Sequence, residues 1–417
     1  MLRPYVILTR LLLLLPTTTY RTTAFVAAAR QLGVELTVAS ERPSTMEAAN
    51  PRGLLTLDFQ FPERAADQAR DFARQTPLNG VIGVDDDTAV VAAAIAERLH
   101  LKGNPVHAAL AARDKHDQRV QLADAGVPMP RFDLHLLAED PESVARSTQY
   151  PCVLKPLRLA ASRGVIRADN PTSFVAAHAR LKAILAEADA AACGEPSRHY
   201  LVEEFIPGYE VALEGLVVNR RLHVLAVFDK PDPLDGPFFE ETIYVTPSTI
   251  PPSLEAAIRD CADRAVRGLE IVDGPVHAEL RYNERGPWLI ELAARPIGGR
   301  CSAVLRFGDH GITLEEVILR HALGLPIPSL QRERLAAGVM MIPIPGAGTL
   351  REVRGVEDAK RVPLVEDVQI TAHPGERLVP FPEGSRYPGF IFARGETPGA
   401  VESALRDAHR RLDFVLD

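Results

Sequence analysis

The chain has 417 residues, which is too long for one ordinary hydrophobic core, so two or three domains are expected. Hydrophobic residues make up 46% of the chain and charged residues 24%, as in a typical globular protein, and the formal net charge is -8. Because this charge provides no basic excess to neutralise phosphates, the composition excludes a typical nucleic-acid-binding protein.

The four cysteines, Cys152, Cys193, Cys261 and Cys301, are widely spaced and form no C-x-x-C pair. This pattern indicates neither a disulfide framework nor a zinc site, and a reducing cytoplasm is the expected location. No apolar stretch approaches the roughly 20 residues that cross a membrane, so no membrane partner is expected either.

The N-terminus loosely imitates a signal peptide, with Arg3 and Arg10 ahead of the apolar run Leu11–Leu15. The run ends at Pro16, however, and an Ala-rich helical stretch and a second apolar run follow it. We therefore predict that Val6–Leu15 forms a first buried strand.

Short apolar runs alternate with helical stretches up to about residue 110. Strands are predicted at Leu11–Leu15, Val34–Val38, Leu54–Leu57 and Val81–Val84, and helices at Thr23–Gln31, Pro62–Gln75 and Thr88–Leu99. This alternation predicts a parallel sheet with helices on both faces. Ligands bind at the carboxyl ends of such strands, which draws attention to the loops Thr17–Arg21 and Asp85–Asp87. Thr and Asp also favour helix N-caps, a role that is compatible with binding, and the aspartates could hold an ammonium group.

The remainder of the chain reads as a mixture of helices and strands. Helices are predicted at Ala111–Ala125 (ending at Gly126), Pro171–Ala188, Leu254–Leu269 and Pro398–Arg411, and strands at Cys152–Lys155 and Tyr200–Glu203 with a polar loop at Leu157–Gly164. The composition shifts after Pro326–Pro328, so residues 336–417 are predicted to form a separate small α+β domain. The predicted fold class is α/β and α+β.

Two carboxylates are placed opposite each other by a predicted hairpin. If the turn centres near Arg285, Glu279 faces Glu291 across an antiparallel strand pair, and Arg295 projects from the same face. Facing carboxylates would destabilise a sheet unless a cation offsets their charge, and Mg²⁺ prefers a few carboxylates together with substrate phosphates. The alternative is a solvent-exposed polar face with Glu–Arg pairing.

Three further features of the sequence suggest phosphate binding. Lys115 lies near the start of the helix predicted for Ala111–Ala125, and Lys155 closes an apolar strand just before a proline. The small residues of Ala160–Gly164 can bring backbone N–H groups close to a phosphate. Taken alone, a lysine can be an ordinary surface charge and the loop can be a plain turn, so only the order of these features along the chain is informative.

That order resembles the ATP-grasp superfamily from about residue 105 to 325. The matching stretches are Arg113-Asp-Lys115, Gly126-Val-Pro128-Met-Pro130, Val153-Leu-Lys155-Pro156, Ser162-Arg163-Gly164-Val165, Val202-Glu203-Glu204-Phe205-Ile206-Pro207-Gly208-Tyr209-Glu210, and Glu279 with Glu291-Leu-Ala-Ala-Arg295-Pro-Ile-Gly298-Gly299. Within the superfamily, the chain looks most like the carboxylate–amine ligases that include the L-amino-acid (dipeptide) ligases. Gly338-Val-Met-Met-Ile-Pro-Ile-Pro345 and Tyr387-Pro-Gly-Phe-Ile-Phe-Ala-Arg394 resemble their small C-terminal domain.

The resemblance implies a division of the chain and a set of residue roles. It implies an N-terminal pre-grasp α/β domain at 1–110, an ATP-grasp domain at 111–330 with its lid at about 151–207, and a ligase-type C-terminal domain at 336–417. ATP would contact Lys115, Lys155, Ser162, Arg163, Gly164, Glu203, Glu204, Phe205, Ile206 and Glu210. Glu279 and Glu291 would hold Mg²⁺, for which Mn²⁺ can substitute, and Arg295 would stabilise an acyl phosphate.

The site of the second substrate is less well marked in the sequence. Arg300 could bind a substrate carboxylate with its planar fork, and His277 could contact substrate or accept a proton. A hydrogen-bonded structural histidine is the alternative for His277. Many relatives carry Asn where this chain has Ala293, so one metal ligand is absent. Lys230 and Gly236–Glu241 are predicted to line the pocket.

The predicted function is that of an ATP-dependent ligase joining a carboxylic acid, expected to be an amino acid, to an amine through an acyl phosphate. Both substrates would be small molecules. The alternatives are a purine-pathway or natural-product ligase with other substrates, and a nucleotide-binding regulatory protein without catalysis. A homodimer is compatible with the resemblance, although no patch in the sequence indicates one.

Overall fold

The computed structural model describes residues 9–17 and 19–417. Arg3, the first residues of the predicted strand Val6–Leu15 and Thr18 of the loop Thr17–Arg21 lie outside the described residues. Within the described part of the chain, no helix combines the length and the hydrophobicity that crossing a bilayer requires.

The N-terminal region is the predicted parallel sheet. Its strands are β1 (Arg10–Leu14), β2 (Glu35–Ser40), β3 (Leu54–Thr56) and β4 (Gly80–Gly83), and its helices are α1 (Thr22–Leu32), α2 (Pro62–Ala73) and α3 (Asp86–Leu99). The strand order is β3-β2-β1-β4, with every pair parallel. Leu11 and Leu13 pack with Phe25 of α1, whereas Leu12 and Leu14 pack with α2 and α3. The leucine run is apolar throughout because helices cover both faces of the strand.

The prediction of one continuous helix at Ala111–Ala125 is wrong. Two helices cover this region, α4 (Val106–Arg113) and α5 (Lys115–Asp124). Asp114 between them has an extended backbone (φ -99°, ψ 118°), and its carboxylate accepts from the backbone N–H of His116. Asp114 therefore ends α4 and caps α5, as Asp favours at helix N-termini. As a result, Lys115 stands at the first position of a helix.

A second sheet of four antiparallel strands has the order β5-β8-β6-β7. Its elements are β5 (Phe132–Leu136), α6 (Pro141–Ser147), β6 (Cys152–Pro156), β7 (Ile166–Ala168), α7 (Pro171–Leu185), α8 (Ala188–Ala191) and β8 (His199–Glu204). Neither β5 nor α6 was predicted. The predicted helix Pro171–Ala188 stops at Leu185, because the backbone of Glu187 is extended (φ -67°, ψ 147°).

The largest sheet is antiparallel and has eight strands, in the order β13-β12-β9-β10-β11-β16-β20-β18. They are β9 (Tyr209–Val218), β10 (Arg221–Asp229), β11 (Ile243–Thr246), β12 (Gly274–Asn283), β13 (Gly286–Ala293), β16 (Ala336–Met341), β18 (Val365–Ile370) and β20 (Gly389–Gly395). Shorter strands are β14 (Arg306–Phe307), β15 (Ile312–Thr313), β17 (Gly348–Arg354), β19 (Arg377–Leu378) and β21 (Asp413–Leu416). The helices are α9 (Pro252–Gly268), α10 (Leu314–Ala322), α11 (Val356–Lys360) and α12 (Pro398–His409).

The predicted fold class, α/β and α+β, is confirmed by these three sheets. The predicted domain boundaries at about 110 and 330 stay predictions. The large sheet runs across the second boundary, because β16 of the C-terminal region pairs directly with β11. One hydrophobic cluster also joins Phe25 of α1, Phe228 of β10 and Phe392 of β20. The three regions therefore share buried surface around their common junction.

Candidate active site

A cavity of about 600 Å³ lies where the three sheets meet. The loops after β1 and β4 reach it from the N-terminal sheet, through Tyr20, Arg21, Asp85 and Asp86. These are two loops that the carboxyl-end rule for parallel sheets singles out. Asp85 also caps α3, accepting from the backbone N–H of Thr88 at 2.8 Å, so capping and cavity lining coincide there.

Most of the predicted site residues converge on this cavity. Those that line it are Lys115, Lys155, Ser162, Glu203, Glu204, Phe205, Ile206, Glu210, His277, Glu279, Glu291 and Arg295. Three predicted residues, Arg163, Gly164 and Arg300, do not line it.

The two predicted metal ligands face each other as the hairpin predicts. Glu279 of β12 is the register partner of Glu291 of β13, and a bulge follows directly after this pair. The ammonium of Lys115 lies 3.1 Å from the Glu291 carboxylate, and that of Lys230 lies 3.4 Å from Glu279. The lysines reduce the repulsion that two facing carboxylates would otherwise suffer.

Lys230 lies at the centre of a buried acidic group. Its ammonium is 2.7 Å from Glu210 and 2.6 Å from Glu241, in addition to its contact with Glu279. Burial lowers the pKa of Lys230, but the three carboxylates outweigh burial and hold it well above its usual value. Burial raises the pKa of Glu241 to about 7, although Lys230 opposes this shift. Arg281 also lies 3.4 Å from Glu210, so the group holds three carboxylates and two cations, and this excess of carboxylates suits a divalent cation.

The carboxylate oxygens of Glu210, Glu241 and Glu279 also lie within 4.8 Å of one another, close enough to share one cation. Glu241 lines the cavity at the end of the segment Gly236–Glu241, which the sequence analysis places at the pocket. The hydroxyl of Tyr244 donates to Glu241 at 2.6 Å and fixes its orientation. The sequence contains no signal that marks Glu241 as a partner of Glu279, because Glu241 lies in the loop before β11 whereas Glu279 lies on β12.

Lys155 is oriented by a fully buried carboxylate. Its ammonium lies 2.7 Å from Glu203, whose other oxygen accepts from Arg119 at 2.8 Å. Burial raises the pKa of Glu203, but Arg119 and Lys155 outweigh burial and lower it to about 2. In this structure Glu203, predicted to contact ATP, pairs with two cations and holds Lys155 at the cavity wall.

The loop Ala160–Gly164 borders the cavity through Ser162 and the two alanines. Its backbone is left-handed at Ala161 (φ 54°) and Ser162 (φ 53°), where a side chain costs roughly 1–2 kcal/mol per residue. Arg163 points away from the cavity, because its guanidinium pairs with Glu187 at 2.7 Å and with Asp189 at 2.6 Å. Gly164 donates its backbone N–H to Pro382 at 2.9 Å. The predicted phosphate contacts of Arg163 and Gly164 are therefore not supported by their positions.

Arg295 and the two residues after it are held by contacts from other parts of the chain. Its Nε donates to Asp86 at 3.0 Å, and Arg21 donates to the carbonyl groups of Pro296 and Ile297 at 3.0 and 2.6 Å. Burial raises the pKa of Asp86, but Arg295 outweighs burial and the pKa lies below its usual value. The buried Glu214 accepts from the backbone N–H of Ile297 at 3.0 Å. The segment that follows β13 is thus fixed on both sides.

His277 and Arg300 differ in how they relate to the cavity. His277 lines it with Nε2 3.5 Å from Glu279, and burial lowers its pKa. Arg300 is withdrawn behind the wall: it donates to Gln369, and its guanidinium packs on Phe390 and Phe392 at 5.7 and 5.6 Å from the ring centroids. The predicted carboxylate-binding role of Arg300 is therefore not supported by its position, because its guanidinium contacts Gln369, Phe390 and Phe392 and does not line the cavity.

Cys301 is buried, and burial raises the pKa of its thiol well above the usual value. The sequence analysis missed the contribution of the C-terminal region to the cavity. Arg386, Tyr387 and Phe390 line it, although this stretch carried only a family resemblance.

Three protein-family models match the chain. The ATP-grasp N-terminal domain matches residues 26–103, the ATP-grasp domain matches 148–304, and the L-amino acid ligase C-terminal domain 2 matches 340–417. Together these matches reach all three regions that line the cavity.

Several known proteins with similar sequences are ligases. The alanine–anticapsin ligase of Bacillus subtilis is 29% identical over 215 residues, which cover 48% of this chain and 45% of that protein. The D-alanine–D-alanine ligase of Ralstonia pickettii is 24% identical, over 53% of this chain and 65% of the relative. The chain thus spans about half of the length of the alanine–anticapsin ligase.

A solved structure of similar length has the same fold throughout. It is the L-amino acid ligase from Bacillus licheniformis, with a TM-score of 0.78, 26% sequence identity and coverage of 98% of this chain and 99% of that one. A carboxyaminoimidazole ribonucleotide synthase from Aspergillus clavatus, complexed with ATP, has a TM-score of 0.71 at 18% identity over 97% of this chain and 99% of that one. At that identity, the second likeness shows the fold alone.

Proposed function

We propose that this chain, which belongs to the ATP-grasp superfamily, is an ATP-dependent ligase that joins a carboxylic acid to an amine through an acyl phosphate. The observation that carries the proposal is the convergence in one cavity of Lys115, Lys155, the facing Glu279 and Glu291, and Arg295. This set combines phosphate-binding cations, metal-binding carboxylates and a guanidinium at one place, as phosphoryl transfer to a carboxylate requires.

The residues present fit a divalent cation. Glu279 and Glu291 face each other, and Glu210 and Glu241 add two more carboxylates, so the four carboxylates outnumber the nearby cations Lys115, Lys230 and Arg281. Glu279 and Glu291 would hold Mg²⁺, which when bound neutralises charge on the ATP phosphates. The absence of Asn at Ala293 is compatible with this proposal, because Glu241 supplies a further carboxylate beside Glu279.

The proposed reaction has two steps. In the first, a carboxylate oxygen of the acid attacks the γ-phosphorus of ATP, the bond from that phosphorus to the bridging oxygen breaks, and ADP leaves. Lys115 and Lys155 bind the phosphate oxygens, and Arg295 stabilises the charge that develops on the transferred group. Positioning is the main contribution of these residues, since little covalent chemistry is asked of the protein.

In the second step, a neutral amine attacks the carbonyl carbon of the acyl phosphate. The bond from carbon to the phosphate oxygen breaks, phosphate leaves, and the amine loses a proton. His277 is the candidate acceptor of this proton, because burial favours its neutral form and it lies on the cavity wall. Arg295 remains beside the tetrahedral intermediate that precedes the departure of phosphate.

Both substrates are proposed to be amino acids, with an L-dipeptide as the product. The names of the relatives support this choice, since the alanine–anticapsin ligase and the L-amino acid ligase are both named for amino-acid substrates. A regulatory protein without catalysis is disfavoured, because Glu279, Glu291 and Arg295 are all present at the cavity. The homodimer and the cytoplasmic location remain predictions.

The test is release of ADP and phosphate with ATP and Mg²⁺ across all pairs of the twenty L-amino acids. The proposal expects release that depends on one pair or a small set of pairs, with the dipeptide identified by mass spectrometry. Release of AMP and pyrophosphate would contradict the acyl-phosphate route. ADP release that does not depend on amino acids would indicate that the substrates are other acids and amines. Tight ATP binding without turnover would favour the regulatory role.

A further inference from the structure

Arg386 is a cavity-lining cation with no assigned partner. It lies between β19 and β20, in the loop that continues through Tyr387, and it is exposed. Among the described residues, no carboxylate lies within 4.0 Å of its guanidinium, so Arg386 forms no ion pair. Glu376 lies on the same wall, but its carboxylate accepts instead from the backbone N–H of His373 at 3.1 Å.

The other lysines and arginines that line the cavity already have partners in the structure. Lys115 pairs with Glu291, Lys155 with Glu203, Arg281 with Glu210 and Arg295 with Asp86, while Arg21 donates to the carbonyl groups of Pro296 and Ile297. Arg386 is thus the guanidinium of the described cavity wall that remains available to an external anion. A free guanidinium matches a carboxylate with two parallel hydrogen bonds.

Aromatic side chains lie on the cavity wall beside this loop. The rings of Tyr20 and Phe390 are 6.3 Å apart, and those of Tyr387 and Phe390 are 6.4 Å apart. Met341 and Ala372 add further apolar surface to the same cavity. A ligand that binds beside Arg386 therefore meets an apolar surface next to a positive charge.

The loop that carries Arg386 also contacts the region of the β5-β8-β6-β7 sheet, which includes the loop Ala160–Gly164 and helix α7. Gly164 donates to the carbonyl group of Pro382 at 2.9 Å, and the guanidinium of Arg180 makes two contacts of 2.8 Å with Glu383. These contacts fix the loop only a few residues before Arg386. The backbone position of Arg386 is therefore anchored through Pro382 and Glu383.

We infer that Arg386 binds the carboxylate of the amine substrate, and that Tyr20, Tyr387 and Phe390 receive its apolar side chain. This inference rests on the proposed ligase function. In that reaction the carboxylate of the acid becomes the carbonyl group of the amide. The carboxylate of the amino acid that supplies the amine does not react, so it keeps its negative charge and is stabilised by a cation. The amine substrate is accordingly an apolar α-amino acid, and Arg386 takes the role that Arg300 cannot fill from behind Phe390.

The test compares L-leucine and L-phenylalanine with their carboxamides as the amine, using the acid that gives turnover in the screen of pairs. In Arg386→Ala, the KM for leucine should rise by about ten- to hundredfold, the loss expected for a charge-assisted contact. The KM for leucinamide should stay unchanged, since the carboxamide carries no negative charge. Arg386→Lys should recover part of the loss. Arg377→Ala, at an exposed position of β19 that does not line the cavity, is the matched control.

An equal loss for leucine and leucinamide would overturn the inference, as would a rise in the KM for ATP in place of the KM for leucine. The second result would place Arg386 at the phosphates. A wild-type preference for amines with charged side chains would overturn the role of the aromatic wall. Wild-type turnover that Arg386→Ala leaves intact contradicts this inference alone, whereas no wild-type turnover with any pair contradicts the proposed function and the inference together.

Discussion

Asp86 and Arg295 are 209 residues apart in the sequence, and their side chains are joined by a hydrogen bond of 3.0 Å from Nε to a carboxylate oxygen. The first residue begins a helix of the parallel sheet, and the second follows the strand that carries Glu291. The N-terminal region therefore contacts Arg295 directly through Asp86, which fixes the direction in which the guanidinium points.

Replacing Asp86 with Asn should lower kcat by about tenfold, because one charge-assisted contact to Arg295 is weakened. The affinity for ATP should change little, since Asp86 is not placed at the phosphates. Steady-state ADP release and nucleotide titration measure the two quantities. Asp87→Asn is the control, because Asp87 lies on the same helix, pairs with Arg113 and does not line the cavity. Equal effects of both variants would contradict the proposed role of Asp86.

Replacing Arg295 with Ala should reduce kcat by about 10²–10³ while nucleotide binding persists. The guanidinium is proposed to act on charge that develops during transfer, so its loss affects the transition state more than the bound ground state. Single-turnover ADP release and equilibrium nucleotide binding separate these contributions. A fully active variant would show that the proposed mechanism is wrong.

Replacing Glu291 with Gln should raise the Mg²⁺ concentration needed for half-maximal activity by about tenfold or more. The facing carboxylate of Glu279 remains, so the site is weakened and not removed. The measurement is the rate of ADP release over a Mg²⁺ titration at fixed ATP. Glu284→Gln, in the exposed turn of the same hairpin, should leave the Mg²⁺ requirement at the wild-type value.

Glu203 should make the stability of the protein depend on pH. The Arg119 and Lys155 cations, against the opposite effect of burial, place its folded-state pKa at about 2, below the ordinary value of 4.5. The stabilisation that this shift represents is fully present above about pH 4.5 and is lost as the pH falls towards 2. Glu203→Gln should cost about 3–5 kcal/mol in the free energy of unfolding at neutral pH, because two buried cations lose their partner.

Urea unfolding at several pH values between neutral and about pH 3 measures this dependence. The difference between wild type and Glu203→Gln should shrink below pH 4.5, where the wild-type carboxylate begins to lose its advantage. Glu204→Gln is the control, since Glu204 pairs with the exposed Arg131 and should change stability by less than about 1 kcal/mol. A constant difference across the whole pH range would contradict the assigned pKa.

The fold and the site could be predicted from the sequence wherever the informative contacts are between residues close together in the chain. Alternating apolar and helical stretches predicted the parallel sheet, and a two-residue turn predicted that Glu279 faces Glu291. Both predictions depend on regular periods of side-chain direction along one segment. The break at Asp114 was missed because a capping residue in the middle of a helical pattern resembles an ordinary polar position.

Contacts between distant segments were beyond the sequence reasoning. Arg300 was expected to bind substrate because it follows a glycine pair near Arg295, but its left-handed backbone (φ 57°) and its stacking on Phe390 and Phe392 direct it behind the wall. Arg386 was overlooked because its place in the cavity depends on how β20 joins the large sheet. No periodicity or local motif carries that information.

The continuity of the eight-stranded sheet limits how this protein can be recombined with its relatives. A chimera with its crossover between α10 and β16 would replace three strands that hydrogen-bond, in order, onto Ile243–Thr246 of β11. Any mismatch at that seam would leave β11 as an open edge, a template for aggregation. Engineering of amine specificity is therefore safer through point changes in the loop that carries Arg386 than through exchange of the whole C-terminal region.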